Sequence, residues 1–310
     1  MLNKIKAVMF GHAIGDAIGV PVEFRSREYL DKHPVMDMMG YGTHNMPAGT
    51  WSDDTSMALC ALSSLLNGTV DYDDIMRNFC KWCYDGEFTT DGVVFDIGNT
   101  CSDAIDNYFY NGKSVKNCGL NYVRSNGNGS LMRIHPFVLY AYFNNIEDEN
   151  KFVSMIANAS SLTHAHKCSI DGCVIYAYVL RELLNNPDKS SVYKGIDDAK
   201  YIRPFGRDYD RIFSGDIETL KREDVRSSGY IVDSLEAAIW CLLTTSSYKE
   251  CVLKAVNLGD DTDTIAAIAG SLAGALYGLD AIPVSWIGKL RKKEYIEEMC
   301  DKACVAWKAN

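Results

Sequence analysis

The sequence predicts an all-α protein of one domain. Three observations carry this. Nearly every segment spaces its apolar residues three and four apart, clear alternating strands with hairpin turns are scarce, and glycines recur at four-residue spacing inside an apolar run. The chain has 310 residues, 47% of them hydrophobic, enough to fill a sizeable core. No internal repeat or low-complexity segment interrupts it.

The first helix is "KIKAVMFGHAIGDAIG", with Gly11, Gly15 and Gly19 on one face. Glycine weakens a helix, so this stripe implies another backbone packed very close and a buried central position. Asp16 then makes structural hydrogen bonds inside that packing, while Glu23, after Pro21, falls on the loop at the helix end, solvated or facing a site. Helical runs follow near residues 55–67, 73–84, 99–111, 131–143, 149–161 and 166–185. More follow near 231–245, 248–257, 263–277 and 293–307. Loops hold the glycines and polar clusters at 40–49, 86–99 and 125–130. The polar stretch 186–229, with Pro187 and Pro204, reads as an excursion over the surface of a domain spanning 1–310.

Composition excludes some functions. A net charge of −10 argues against a nucleic-acid surface, and a phosphate-bearing ligand would need local help from backbone N–H groups, helix N-termini or cations. No uninterrupted apolar run is long enough to span a bilayer, and the N-terminus lacks a signal-peptide layout. The 11 cysteines, an odd number in apolar helical surroundings, fit reduced thiols in the cytoplasm. "CKWC" at Cys80–Cys83 has zinc or redox spacing, but no second pair stands at finger-like spacing.

Two polar clusters stand at helix starts. "LGDDTDTIAAIAGSLAGALYG" crowds Asp260, Asp261 and Asp263 before an apolar helix, and "GTWSDDTSMALCALSSLL" sets Ser52, Asp53, Asp54 and Thr55 before another. An N-cap needs one such side chain, with Asp263 or Thr264 placed for it in the first cluster. Adjacent carboxylates repel unless a cation lies between them. Hard oxygen donors suit Mg²⁺, Mn²⁺ or Ca²⁺, and the four charges of Asp53, Asp54, Asp261 and Asp263 would balance two divalent cations.

Other segments offer ligand contacts. "VVFDIGNT" places Asp96 as either a helix cap or a partly desolvated base, with Asn99 as a hydrogen-bonding partner. In "SNGNGSLMRIHP", Gly127 and Gly129 allow positive φ, and Ser130 begins a helix, a layout that cradles phosphate without being a P-loop. "THAH" is weak as a metal pair, so His164 reads as a ligand contact or a satisfied core residue. Tyr230 stacks at a pocket rim or packs in the core.

These motifs, in this order, resemble the ADP-ribosylglycohydrolase family. "GDAIGVPVEF", "GTWSDDTSMAL", "FDIGNT", "GNGSLMRI" and "GDDTDTIAAIAG" carry the resemblance over almost the whole chain. It implies an all-α fold with a two-metal centre, Mg²⁺ or Mn²⁺, at the base of a cleft. The ligands would be Ser52, Asp53, Asp54, Asp261, Asp263 and Thr264. The implied catalytic acids are Asp96 and Glu23, and Asn99, Gly127, Asn128, Gly129, Ser130, His164 and Tyr230 would line the ADP-ribose cleft. Many members carry threonine at Ser52 and glycine at Asp260. The implied activity is removal of ADP-ribose from a modified protein, with arginine linkage favoured by "FDIGNT" and "SGYIVDSLEA". Serine- or nucleobase-linked conjugates, a binding or toxin-neutralising role without turnover, and a two-metal phosphohydrolase are the alternatives.

Overall fold

A computed structural model describes residues 1–307. Fifteen α-helices run in chain order: α1 Leu2–Gly19, α2 Arg27–Lys32, α3 Asp53–Leu65, α4 Tyr72–Asp85, α5 Asn99–Phe109, α6 His135–Phe143, α7 Glu149–Ser161, α8 Lys167–Asn185, α9 Ser190–Ile202, α10 Asp210–Phe213, α11 Ile231–Leu243, α12 Tyr248–Val256, α13 Thr262–Tyr277, α14 Val284–Lys289 and α15 Lys293–Ala306. Among the described residues no strand forms, only three isolated β-bridges.

The centre is the α1–α13 pair, and the glycine stripe is its seam. A Cβ on Gly11 would lie 2.4 Å from the carbonyl oxygen of Gly270, on Gly15 2.0 Å from that of Ala266, and on Gly19 2.3 Å from Cα of Asp263. The facing numbers fall along α13 as they rise along α1, so the helices are antiparallel. The seam brings the end of α1 to the start of α13. Helices α3, α8, α11, α12 and α15 pack around this pair, and one apolar cluster joins all of them.

Several expectations need correction. The stretch 186–229, read as an excursion over the surface, is packed against the domain rather than free of it. Its α9 packs on α8, with Gly195 so close to Val179 that a Cβ would meet that Cα at 2.6 Å, and Val192, Ile196, Ile212, Ile217 and Val225 are buried. The helix expected from 131 begins at His135, preceded by a 3₁₀ turn Leu131–Arg133, because Pro136 sets the first helical turn. The short helices α2, α10 and α14 are too brief to show a periodic stripe. Leu2–Val22 does have the length and mean hydropathy of a membrane span, yet 94% of its most apolar window is buried inside the protein, where the apolar character serves the helix seam. All 11 cysteines are free, including Cys80 and Cys83.

Candidate metal centre and cleft

The two acid clusters, about 200 residues apart in the chain, meet in space where α3 and α13 begin. Thr264 Oγ1 donates to Asp54 Oδ2 at 3.3 Å, directly joining them. No carboxylate of either cluster makes the bond expected of an N-cap residue, although Asp263 Oδ1 accepts from Thr264 N–H at 2.9 Å within the first turn of α13. At α3 the cap is Ser52, whose Oγ accepts from Asp54 N–H at 3.3 Å, and Asp16 reaches across from α1 to accept from Ser52 N–H at 2.9 Å and Thr55 Oγ1 at 2.6 Å. At α13 the N-cap position is Asp261, not Asp263 or Thr264, and its side chain makes no capping bond. It accepts instead from Asn128 Nδ2 at 2.7 Å.

The buried oxygens Asp54 Oδ1, Asp261 Oδ1 and Asp263 Oδ2 have no hydrogen-bond partner. Orphaned buried carboxylate oxygens are costly unless a cation or proton meets them. Asp16, Asp54 and Asp263 bring one oxygen each within 4.8 Å of one another, as do Glu23, Asp261 and Asp263. The donor set is entirely hard oxygen and fits a divalent cation of the Mg²⁺ or Mn²⁺ type. Burial, reinforced by neighbouring acids, pushes the carboxyls of Asp53, Asp54 and Asp263 well up. Asp16 is pushed up to about 6 by burial against its hydrogen bonds. Like charges share too little solvent here, so protons or cations must neutralise them.

Above the cluster opens a cleft of about 460 Å³, lined by Glu23, Asp53, Asp96, Asn99, Gly127, Asn128, Gly129, His164, Asp261 and Thr264 among others. Glu23 is not solvated: it is 4% exposed, hydrogen-bonds His44, and is pushed up to about 12 by burial together with Asp263, Asp96 and Asp261. Asp96 does not cap α5. The N-cap is Gly98, and Asp96 sits with φ of 59° at the cleft wall, its carboxyl raised by burial.

Gly127 and Gly129 are not left-handed. Gly129 is needed for space, since a Cβ there would lie 2.8 Å from Cys101 Sγ and 2.9 Å from His164 Cε1. Asn128 ties this loop to the acid cluster, donating from Nδ2 to both Asp261 and Ser234. Ser130 does not face the cleft: its hydroxyl lies in the core, 3.4 Å from Cys173 Sγ and 3.0 Å from Ser160 Oγ. Tyr230 pairs through its backbone with Gly127, but its hydroxyl turns to Cys168 and Asp208.

Asp16 makes the structural hydrogen bonds its sequence setting implies, and three further contributors, His44, Arg133 and Arg27, escaped the sequence reading. Asp16 fastens α3 to α1. His44, from the 40–49 loop, meets Glu23 and makes a third close set with Glu23 and Asp96. Arg133 is fully buried and donates to Thr163 Oγ1 at 2.8 Å; that hydroxyl lies 2.8 Å from His164 Nδ1. With the hydroxyl donating to Nδ1, the His164 proton sits on Nε2, toward the glycine loop. Burial holds His164 down at about 3, so it is a neutral donor. Arg27 donates to the carbonyls of Leu258, Arg222 and Val225 and so secures the approach to Asp261. Arg133 stands inside "GNGSLMRI" and His44 beside glycines, but nothing local marks their partners.

Among the described residues the fold is helical, and it sets an oxygen-rich acid cluster beside a polar cleft. The chain belongs to the ADP-ribosylglycohydrolase family, whose description matches residues 1–310. It is 34% identical over 302 residues to the ADP-ribosylarginine hydrolase Tri1 of Serratia proteamaculans, covering 97% of this chain and 79% of that one. It is 32% identical over 295 residues to the ADP-ribosyl-[dinitrogen reductase] glycohydrolase of Rhodospirillum rubrum, covering 94% and 91%. A solved structure titled ADP-ribosylglycohydrolase-related protein complex superposes with a TM-score of 0.83 at 29% identity, over 99% of this chain and 98% of that one.

Proposed function

We propose that the chain, 1–310 working as one domain, is a cytoplasmic ADP-ribosylarginine hydrolase that depends on two divalent cations, Mg²⁺ or Mn²⁺. Support for arginine linkage comes from the named activity of Tri1. The observation that carries the reading is the buried acid cluster with its orphaned oxygens, beside a cleft that Asp53 and Asp261 also line and that has no lysine and, among the described residues, one arginine, Arg124. Ser52, Asp53, Asp54, Asp261, Asp263 and Thr264 would hold the cations. Bound there, they supply charge to orient the ribose hydroxyls and stabilise developing negative charge.

This chain's own residues do the rest. Asn99, Asn128, the backbone at Gly127 and Gly129, and the His164 Nε2–H hold the ADP-ribose, while Arg124 offsets the pyrophosphate charge. Ser130 and Tyr230 act from behind, anchoring that loop. Asp96 takes a proton from the attacking water as its oxygen bonds to the anomeric carbon. The carbon–nitrogen bond breaks, and the proton passes to the departing guanidine. Glu23, held protonated by its acidic neighbours, keeps that wall of the cleft from repelling the pyrophosphate.

The test is one incubation with arginine-linked and serine-linked ADP-ribosyl peptides, with and without Mg²⁺. Free ADP-ribose from the arginine peptide, in Mg²⁺ alone, is expected. AMP would point instead to a phosphohydrolase, release from the serine peptide to the other linkage, and the absence of any product to a binding protein.

A further inference from the structure

The lip of the cleft carries three rings in a row. Phe24 lines the cleft and is 67% exposed. Its ring centroid lies 6.0 Å from that of His44, which lies 5.1 Å from that of Phe95. The chain thus sets an acid beside a ring twice, Glu23 with Phe24 and Asp96 with Phe95, around one histidine bonded to Glu23.

This arrangement is costly for the fold. Phe24 and Asp96 both adopt left-handed backbone, with φ of 63° and 59°. Such a conformation costs a non-glycine residue on the order of 1–3 kcal/mol, and an exposed phenylalanine forgoes burial. The backbone at Phe24 is clasped firmly: its N–H donates to Asp260 O at 2.7 Å, and Asp260 N–H donates to Arg25 O at 2.9 Å. Glycine would satisfy that clasp with less strain. The ring at this position is therefore not explained by local folding, and strained side chains held at a cleft wall are a mark of function.

The chemistry of the lip selects a shape. The Asp96 carboxylate beside flat aromatic faces favours a planar cation, which donates in its plane and stacks on its face. An alcohol has no charge to offer, and an ammonium has no face. We propose that Phe24, backed by His44 and Phe95, is the platform for the leaving guanidinium and sets the preference for arginine over serine conjugates; this rests on the hydrolase reading above.

The test uses carbocyclic analogues of the arginine- and serine-linked conjugates, with a methylene in place of the ribose ring oxygen, titrated calorimetrically in Mg²⁺ against wild type, Phe24→Leu and Phe24→Ala. Leucine keeps apolar bulk but removes the π face. Wild type is expected to bind the arginine analogue about 5- to 30-fold more tightly than the serine analogue, and both variants to lose that preference. Free ADP-ribose affinity should stay within about two-fold. Unchanged affinity for the arginine analogue in both variants overturns the platform, as does an equal loss for free ADP-ribose. A wild type that binds but never cleaves the natural arginine conjugate would defeat the hydrolase reading, while the binding comparison still decides the platform.

Discussion

Replacing Gly19 by alanine places a methyl group against the backbone that carries the acid cluster. The new carbon would lie 2.3 Å from Asp263 Cα, 2.4 Å from its nitrogen and 2.6 Å from the Thr262 carbonyl carbon. Carbon atoms in contact settle at about 3.5 Å or more, so the ends of α1 and α13 must part by about 1 Å. Backbone on both sides leaves no side chain to swing away. Overpacking of this kind costs about 1–3 kcal/mol, a fall in Tm of roughly 2–5 °C for a chain of this size. The functional cost should be larger in proportion. Metal ligands tolerate about 0.2 Å of displacement, and a 1 Å error in a reacting constellation can cost about 100-fold in rate. Gly19→Ala is therefore expected to weaken Mg²⁺ binding and to lower turnover by about 100-fold even at saturating Mg²⁺. The matched control is Gly274→Ala, whose Cβ would meet Ala7 O at 2.0 Å at the other end of the same seam. It should lose similar stability and keep its metal affinity. Calorimetric Mg²⁺ titration, thermal melts and rates on both variants decide the matter. Equal metal affinity in the two, alongside equal loss of Tm, would refute the coupling of seam to cluster.

Asp96→Asn should keep the fold, since Gly98 is the cap and asparagine tolerates the left-handed backbone. Its turnover should fall by roughly 100-fold with ADP-ribose affinity little changed, and a wild-type rate would remove Asp96 from the role of base. Asp260→Gly should be neutral or stabilising by up to about 1 kcal/mol, because Asp260 holds φ of 60° on the exposed side of the cluster. Thermal melts check this, and a loss of activity would place Asp260 among the ligands. Without metal, folding should weaken as pH rises. Asp16 and Glu23 have folded-state values raised to about 6 and about 12, so the folded protein holds protons that the unfolded chain releases. That contribution is complete at acid pH and is lost as pH climbs through the folded values, where a cation replaces the protons. The rise in Tm on adding Mg²⁺ should thus be larger at about pH 8 than at about pH 5, and a rise independent of pH would count against carboxylates as the ligands.

Much of the architecture was legible along the chain because local rules govern it. Apolar spacing marked most of the long helices. Four-residue glycine spacing announced a close seam, since only an opposing backbone rewards three missing side chains. The paired acids marked two sites where one cap would have sufficed. Yet α9 is hidden by its polar setting, and Gly127 and Gly129, which could adopt positive φ, do not. Gly129 instead provides space against Cys101 and His164, which lie on other elements. Ser130 looked like a phosphate contact and is a core hydroxyl.

By itself, then, the sequence determined the helices, the seam residues and the identity of the acids, because each depends on neighbours within a few turns. Only the tertiary structure decided what those acids face. The joining of Asp54 to Thr264, the reach of Asp16 to α3, the His44–Glu23 pair and the Arg133–Thr163–His164 chain all span distant segments. Such contacts are set by how α1 and α13 pack, and packing is a property of surfaces brought together, which no local periodicity encodes.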